Sequence, residues 1–566
     1  MSNKLVYFAL GALTVVGMSG CSKKLGQFKS DYFNTVPTPL ETVGQNVPGT
    51  VTANIPAKFM VKNAKVTATP VIRWNTGGTS YEEAAATPVV FQGENVRANC
   101  QVVSYKEGGV VNIPFNVAYQ PEMAKSDLYL NFSVDQNGKL YTLPAVKVGY
   151  GVIATSTLAS AATVTPAVAK DNFQKVINEK YTADIHFLIN QANIRSNQTD
   201  KADYIDLNKR LMEANKAANQ EIAGITVNSY ASPDGALKFN TELAERREQN
   251  TSALMENQLK KDKITEFGEL TSSFTPEDWE GFQQLVEKSN IQDKDLILSV
   301  LRMYPDPEQR EKEIRNLSSV FNELADQILP QLRYSRVMAS INVIGKSDQE
   351  LINLFNTDPK ALTVDEMLYV ATLTDDNTKK MEIYKKATEI FPNDARTYND
   401  YGLTQYKAGN YAGARQSFEK ALSVNPNLKE AEMNMGLISM LNGDYSRANT
   451  QIGAAAGVPE ASDALGVYYL TQGDLAKAIN SFGDSKTNNA ALAQILAQDY
   501  NAAKQTLSSI PNPDATTYYL TAVLGARTNN ENMVMSNLRQ AVKMDRSLLK
   551  RAQNDLEFAK YNLSYL

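Results

Sequence analysis

The chain has 566 residues and a formal net charge of −5 at pH 7, and no run of basic residues stands out against that balance. Nucleic acid is therefore not an expected partner, because it is bound through clustered lysine and arginine. The length allows about three or four domains. With a single histidine and two cysteines, we expect neither a metal site nor a histidine-dependent catalytic triad.

The amino-terminal residues have the pattern of an export signal. An apolar run follows Lys4 and is too short to remain as a membrane span, so residues 1–20 are predicted to be a cleaved signal peptide. The ending Met-Ser-Gly-Cys at Cys21 resembles a bacterial lipobox, which implies that Cys21 is lipidated. The alternative is an ordinary signal peptide followed by an incidental cysteine. By the same resemblance, Ser22–Lys24 implies an outer-membrane lipoprotein on the periplasmic face.

The next part of the chain is predicted to be a tether followed by a β-domain. Residues 21–49 are rich in proline, threonine and polar residues, which predicts a lipidated tether. Residues 50–155 alternate apolar and polar side chains between turn signals, one of which is the hairpin dipeptide Asn137-Gly138. This pattern is typical of an immunoglobulin-like β-sandwich. Residues 156–170, rich in alanine, threonine and serine, are predicted to be a linker.

A strand, a polar turn and a helix follow one another between Ile225 and Glu248. The turn is Ser232–Gly235, and the helix places Asn240, Leu243 and Arg247 on one face. These residues resemble the core motif of OmpA-like domains, which tie outer-membrane proteins to peptidoglycan. The resemblance implies an α/β domain over residues 171–345, with a helical insertion at 274–332.

The resemblance also implies a site for the wall peptide. In the family an aspartate and an arginine hold diaminopimelate, and Arg247 matches that arginine, while Ser232 stands where the aspartate belongs. Asp234, two residues on, is a candidate substitute, and Asn240 matches the family's asparagine. The candidate peptidoglycan-binding residues are therefore Ser232, Asp234, Asn240 and Arg247. The alternative is a domain of this fold without a ligand.

The last third of the chain contains an internal repeat. Gly402, Gly409 and Ala414 recur 34 residues later as Gly436, Gly443 and Ala448. This spacing is similar to the tetratricopeptide repeat, a pair of antiparallel helices that stacks into a solenoid. We therefore predict an all-α solenoid over residues 361–546, followed by a carboxy-terminal helix or tail at 547–566.

The first helix of each repeat is expected to line a concave face. The sequence lacks the lysine and asparagine set that clamps an acidic carboxyl terminus in some tetratricopeptide proteins, and the expected groove is apolar and rich in methionine. The alternative is that its side chains only pack between helices. The candidate groove residues are Asn399, Leu403, Tyr406, Lys407, Met433, Leu437, Met440, Leu441 and Leu470.

Two functions are compatible with these features. The first is a periplasm-facing scaffold that holds a protein partner of an envelope assembly or secretion complex in its repeats. The second is a structural anchor that binds peptidoglycan through the OmpA-like domain. Enzymatic activity is not expected, because acidic pairs such as Asp375-Asp376 lack nucleophilic or basic companions. No cofactor is implied.

Overall fold

A computed structural model describes residues 24–291, 293–316 and 318–566. The predicted signal peptide and Cys21 lie outside the described residues. The chain divides into two compact units, the second of which, Asp171–Thr374, is inserted in sequence between the two parts of the first. Among the described helices, none combines the length and the apolar composition needed to cross a bilayer.

The amino-terminal part of unit 1 is strand-rich, as predicted. Its strands are β1 (Phe33–Val36), β2 (Leu40–Glu41), β3 (Asn46–Ile55), β4 (Ala64–Gly77), β5 (Ser80–Ala85), β6 (Val89–Gly93), β7 (Gln101–Val103), β8 (Gly109–Ala118), β9 (Ser126–Gln136), β10 (Lys139–Tyr150) and β11 (Val152–Ile153). One sheet has the order β1-β3-β8, the other has the order β10-β9-β4-β6-β7 with β5 beside β4, and β11 pairs with β2. The inward-facing side chains of both sheets form one core.

Local sequence explains the long strands of this β-domain. In β9 every second side chain from Leu128 to Val134 is buried, which is the alternation of a strand with one face on the core. Asn137 and Gly138 have φ angles of 55° and 78° and connect β9 to β10. Because a two-residue hairpin turn of this hand requires positive φ at both positions, the Asn-Gly pair is well suited to this turn.

The segment predicted to be a tether is part of the β-domain instead. Among residues 24–49, Leu25, Phe28, Leu40 and Val47 are buried in the core of the β-domain. The Phe28 ring stacks on the Phe132 ring with centroids 4.3 Å apart. These apolar side chains remove enough surface from water to fix the segment, so the β-domain begins before residue 50.

Unit 2 is an α/β unit built on one sheet of order β12-β15-β13-β14. Its strands are β12 (Val176–His186), β13 (Gln220–Tyr230), β14 (Glu269–Thr275) and β15 (Tyr334–Ile344). Its first helices are α1 (Ser196–Thr199), α2 (Ala202–Lys216) and α3 (Leu237–Lys261). Side chains of α2 and α3, including Leu207, Leu211, Met255 and Leu259, pack with the strands in one core.

Four helices lie between β14 and β15 and have a core of their own. They are α4 (Trp279–Lys288), α5 (Lys294–Met303), α6 (Pro307–Asn316) and α7 (Ser318–Gln327). The first begins at Trp279, where the Asp278 side chain accepts a 2.8 Å hydrogen bond from the Gly281 amide and caps the helix. Unit 2 continues beyond the predicted boundary at 345, with α8 (Asp348–Thr357) and α9 (Val364–Thr372).

The rest of unit 1 is helical, as predicted, although residues 361–374 of the predicted solenoid belong to unit 2. We call residues 377–554 the helical array, which contains α10 (Asn377–Ile390), α11 (Ala395–Lys407), α12 (Tyr411–Val424), α13 (Lys429–Leu441), α14 (Tyr445–Ala454), α15 (Ala461–Thr471), α16 (Leu475–Phe482), α17 (Asn488–Leu496), α18 (Tyr500–Ser508), α19 (Ala515–Arg527), α20 (Glu531–Met544) and α21 (Ser547–Asn554). Two short 3₁₀ turns follow α21.

The repeated glycines explain how the paired helices approach. A Cβ atom on Gly436 would lie 2.5 Å from the Ile452 side chain, and one on Gly466 would lie 2.5 Å from the Phe482 ring. Only glycine allows this close packing of one helix on the next. Between the helices, Gly443 has a φ of 75° and the following Asp444 caps α14, so the repeated Gly-Asx pair both turns the chain and starts the second helix.

Candidate functional site

The polar turn of unit 2 is occupied by side chains of unit 2 itself. Arg333 NH2 donates to Asp234 Oδ2 at 3.0 Å, and Arg333 Nε donates to Ser232 Oγ at 3.1 Å. Ser232 Oγ in turn donates to Asp234. Asn240 Nδ2 donates to the carbonyl of Gly235 at 3.0 Å and so braces the turn. The candidate residues Ser232, Asp234 and Asn240 thus lie together, but they pair with one another and with Arg333.

Arg247 lies beneath this turn and is fully buried, with 0% of its surface exposed. Its Nε donates to the Gln191 carbonyl at 3.0 Å, NH1 to the Tyr230 carbonyl at 2.8 Å and NH2 to the Leu188 carbonyl at 3.4 Å. Burial, followed by the charge of Arg333, lowers the pKa of Arg247 to about 10. The guanidinium therefore joins backbone segments of unit 2 and presents no accessible face to a carboxylate ligand.

The inserted helices also contact the turn. Arg315 NH2, on α6, donates to the Asp234 carbonyl at 2.7 Å. Pro233 lines a narrow apolar cavity together with Trp279, Phe282 and Ile314 of the insertion. The expected ligand pocket at Ser232–Arg247 is therefore closed by an arginine from one side and by apolar side chains of the insertion from the other.

The predicted groove residues of the helical array are mostly buried. Lys407 is exposed and Leu441 is half-buried, whereas the others are buried: Asn399, Leu403, Tyr406, Met433, Leu437, Met440 and Leu470. Several of them share a hydrophobic cluster with Ala161, Val164 and Ala167, which belong to the predicted linker. The structure thus buries most of these side chains, several of them in one cluster with another segment of the chain, instead of exposing them on an open groove.

That segment, residues 154–170, is here called the strap. Asn434 contacts both main-chain groups of Ala167: its Oδ1 accepts from the amide at 2.7 Å, and its Nδ2 donates to the carbonyl at 2.8 Å. Asn489 makes the same pair of contacts with Ser160, both at 3.0 Å. Each asparagine therefore satisfies a donor and an acceptor of the strap main chain, and the pair at Ala167 is buried, where each group would cost about 1–3 kcal/mol if it were unpaired.

Three further side chains of the array contact the main chain of the strap, and together with Asn434 and Asn489 they are here called the clamp. Asn399 Nδ2 donates to the Ala167 carbonyl at 3.1 Å, and Asp400 Oδ1 accepts from the Ala169 amide at 2.8 Å. Tyr406 OH donates to the Ala161 carbonyl at 2.7 Å. The strap runs from α17 towards α11, antiparallel to the order of the repeats.

The beginning of the strap is fixed by a cluster of charged side chains. Thr155 Oγ1 donates to Glu557 at 2.6 Å, and Arg527 NH2 donates to the same carboxylate at 2.6 Å and to Glu41 of the β-domain at 2.5 Å. Arg551 NH2 donates to the Ala154 carbonyl at 3.3 Å. Burial alone would lower the pKa of Arg527, but the hydrogen bond and charge of Glu557 and the charge of Glu41 outweigh it, and the pKa is raised.

Asp400 is the unusual member of the clamp because it is a buried acid. Its Oδ1 accepts from Ala169 and Asn399, while Oδ2 is buried without a hydrogen-bond partner among the described residues. Burial raises the pKa of Asp400 to about 8. The native protein therefore retains a proton at neutral pH that the unfolded chain, with an ordinary aspartate pKa near 4, has lost.

We expect this proton to make the stability of unit 1 depend on pH. Between about pH 4 and 8 the native state binds the extra proton, so the contribution of Asp400 to stability falls as pH rises, by up to about 1.4 kcal/mol per pH unit. Asp400→Asn should remove this slope. Urea unfolding followed by circular dichroism at pH 5, 6 and 7 measures it, with Asp484→Asn, an exposed site, as control. Equal slopes for Asp400→Asn and the wild type would contradict the assignment.

Sequence reasoning named Asn399 and Tyr406 of the clamp but missed Asp400, Asn434 and Asn489, although a signal for these three exists. Asp400 and Asn434 each stand two positions before the small glycine of their repeat, and Asn489 stands two before Ala491 in α17. A polar side chain at this position of the first helix marks the strap-facing side. Among the described residues, no group of three or more His, Cys, Asp or Glu side chains is placed to hold a metal ion.

Comparison with known proteins identifies one repeat directly. Residues 395–428, which contain α11 and α12, match the tetratricopeptide repeat family. A curated relative is the Protein CTR9 homolog of Arabidopsis thaliana, 29% identical over 92 residues. That match covers 16% of this chain and only 8% of the relative, so the chain spans a small part of that protein's length.

Solved structures similar to part of the chain have low identity to it. A tetratricopeptide repeat protein from Parabacteroides merdae ATCC 43184 is 13% identical, covers 36% of this chain and 88% of that one, and has a TM-score of 0.29. PilF from Pseudomonas aeruginosa is 15% identical, covers 38% of this chain and 99% of that one, and has a TM-score of 0.28. The identification of a tetratricopeptide repeat in this chain therefore rests on the family match at residues 395–428.

Proposed function

We propose that this chain is a protein-interaction scaffold whose helical array binds extended polypeptide. The observation that carries the proposal is the paired contact of Asn434 with the amide and carbonyl of Ala167, repeated by Asn489 at Ser160. Such contacts recognise the main chain, so they can form with any extended polypeptide. The tetratricopeptide repeat at 395–428 adds support, because repeats of this family are protein-interaction modules. In the structure the bound polypeptide is the chain's own strap, and partners of the assembled scaffold bind through the same array.

The proposal includes a location in the bacterial envelope. Its support is the apolar run followed by Met-Ser-Gly-Cys at Cys21, the pattern of an exported lipoprotein. The scaffold is then anchored in the outer membrane by lipid and faces the periplasm. We propose that it has no catalytic activity and needs no cofactor.

We further propose that unit 2 is an OmpA-like domain without a wall ligand. The sheet with two packed helices and the position of Asn240, Leu243 and Arg247 after a tight turn support the fold. The geometry gives no support to peptidoglycan anchoring as the function, because Arg247 donates to three carbonyls and Asp234 pairs with Arg333.

Cross-linking mass spectrometry on membranes from the source bacterium tests the scaffold function. With a lysine-reactive reagent and a tagged full chain, we expect cross-links to partner proteins to concentrate on lysines of residues 377–566. Lys420, Lys504 and Lys543 provide reporters on three of the second helices. Partner cross-links confined to residues 24–374 would contradict the proposal. An unrelated tagged lipoprotein of similar abundance gives the background.

A further inference from the structure

The strap is held by hydrogen bonds to its main chain and buries mostly small side chains, although Val164 is also buried, at 5% exposure, and Leu158 packs against the same core. Ala161, Ala167 and Ala169 are buried at 7%, 0% and 3% exposure, whereas Val168 is 44% exposed. Burying an alanine methyl group contributes far less hydrophobic free energy than burying a leucine or phenylalanine side chain. Hydrogen bonds to asparagine, aspartate and tyrosine therefore provide most of the specificity of this contact. A second extended polypeptide with small side chains can form the same hydrogen bonds in place of the strap.

The polar side chains of the clamp belong to the array, not to the strap. If the strap left, Asn434, Asn489 and Tyr406 would keep their places on α13, α17 and α11 and present free donors and acceptors. On the vacated face these groups and the apolar side chains around them would face water, and a new extended chain would restore the hydrogen bonds and bury that apolar surface again. The strap and a partner peptide would therefore compete for the same hydrogen-bonding atoms of the array.

From this geometry we propose that the strap is an autoinhibitory ligand, which covers the face of the helical array formed by α11, α13 and α17 until an extended peptide with small side chains displaces it. This inference rests on the proposed scaffold function and adds the regulation of its binding face. Such a peptide needs a small residue where Ala167 lies, because Ala167 is completely buried, and its carbonyl there must reach Asn399 and Asn434. Its amide and carbonyl seven residues earlier must reach Asn489, as those of Ser160 do.

The geometry also indicates which part of the strap moves. Its start is tied to Glu557 through Thr155, and its last residue, Lys170, accepts a 3.2 Å hydrogen bond from Arg396. Between these ends the exposed residues Ala162, Thr163 and Thr165 leave the middle of the strap accessible to a competitor. Displacement therefore concerns residues 159–169, while the ends keep the strap close enough to rebind.

A labelled peptide with the sequence of residues 156–170 tests the proposal against the full chain by fluorescence anisotropy. Ala167→Arg should prevent the strap from seating, since Ala167 is completely buried. We expect this variant to bind the peptide at least tenfold more tightly than the wild type does. Val168→Arg, a substitution of the exposed neighbour, is the matched control and should bind as the wild type. Adding Asn434→Ala and Asn489→Ala to Ala167→Arg should reduce binding at least tenfold.

Two results would overturn the proposal. In the first, Ala167→Arg keeps its helical circular dichroism and thermal transition but binds the peptide no better than Val168→Arg. In the second, Ala167→Arg loses its helical structure, which would make the strap an integral part of the fold instead of a ligand. Neither result affects partner cross-links on residues 377–566, so failure of autoinhibition is separable from failure of the scaffold function.

Discussion

Replacing Arg527 with methionine is expected to lower the free energy of unfolding of unit 1 by about 3–5 kcal/mol. Methionine keeps much of the apolar stem but removes the charge. The Glu557 side chain, only 5% exposed, would then remain buried without its counter-charge, and Glu41 would lose the same partner. Removal of one member of a buried ion pair is costly because the remaining charge keeps its desolvation penalty.

Denaturant unfolding followed by helical circular dichroism measures this loss. Arg415→Met is the matched control, because Arg415 pairs with Glu419 at 2.8 Å on the surface and its side chain is 49% exposed. That change should cost no more than about 0.5 kcal/mol. Adding Glu557→Gln to Arg527→Met should recover part of the stability, since it removes the stranded charge. A cost below about 1 kcal/mol for Arg527→Met would show that the cluster does not hold the strap and array together.

The helical array could be predicted from sequence because its cause is local and periodic. Gly402, Gly436 and Gly466 recur where one helix touches the next, at spacings of 34 and 30 residues, so a near-periodic pattern in the chain reports a repeated steric need. The strands of the β-domain are predictable for the same reason, since alternate residues face one core. Such patterns need no knowledge of distant contacts.

The strap could not be predicted in this way. A segment recognised through its main chain has no side-chain pattern, so Ala, Thr and Ser at 156–170 have the composition of a free linker. Its partners Asn434 and Asn489 lie more than 200 residues further along the chain. Arg333 was not predictable either, since it follows the insertion and pairs with Asp234, 99 residues earlier in the chain. In each case the decisive contact joins residues that no local periodicity connects.

We expect Arg247→Ala to destabilise unit 2 by about 3 kcal/mol or more, because it leaves buried carbonyl groups without donors. Hydrogen–deuterium exchange should show faster exchange in peptides covering 186–192 and 225–231, the segments that Arg247 joins. Arg246→Ala is a matched control on the adjacent residue. Arg246 is 60% exposed and pairs with Glu242 at 3.6 Å, so its loss should change exchange little.

The same variant separates a role in folding from a role in binding the cell wall. If Arg247 held a wall peptide, Arg247→Ala would keep the exchange pattern of the wild type and lose only its ability to pellet with purified sacculi. If Arg247 is structural, any change in pelleting must accompany faster exchange in both segments. Unchanged exchange with lost pelleting would contradict the structural role, because a guanidinium that only satisfies buried carbonyls cannot be removed without exposing them to solvent.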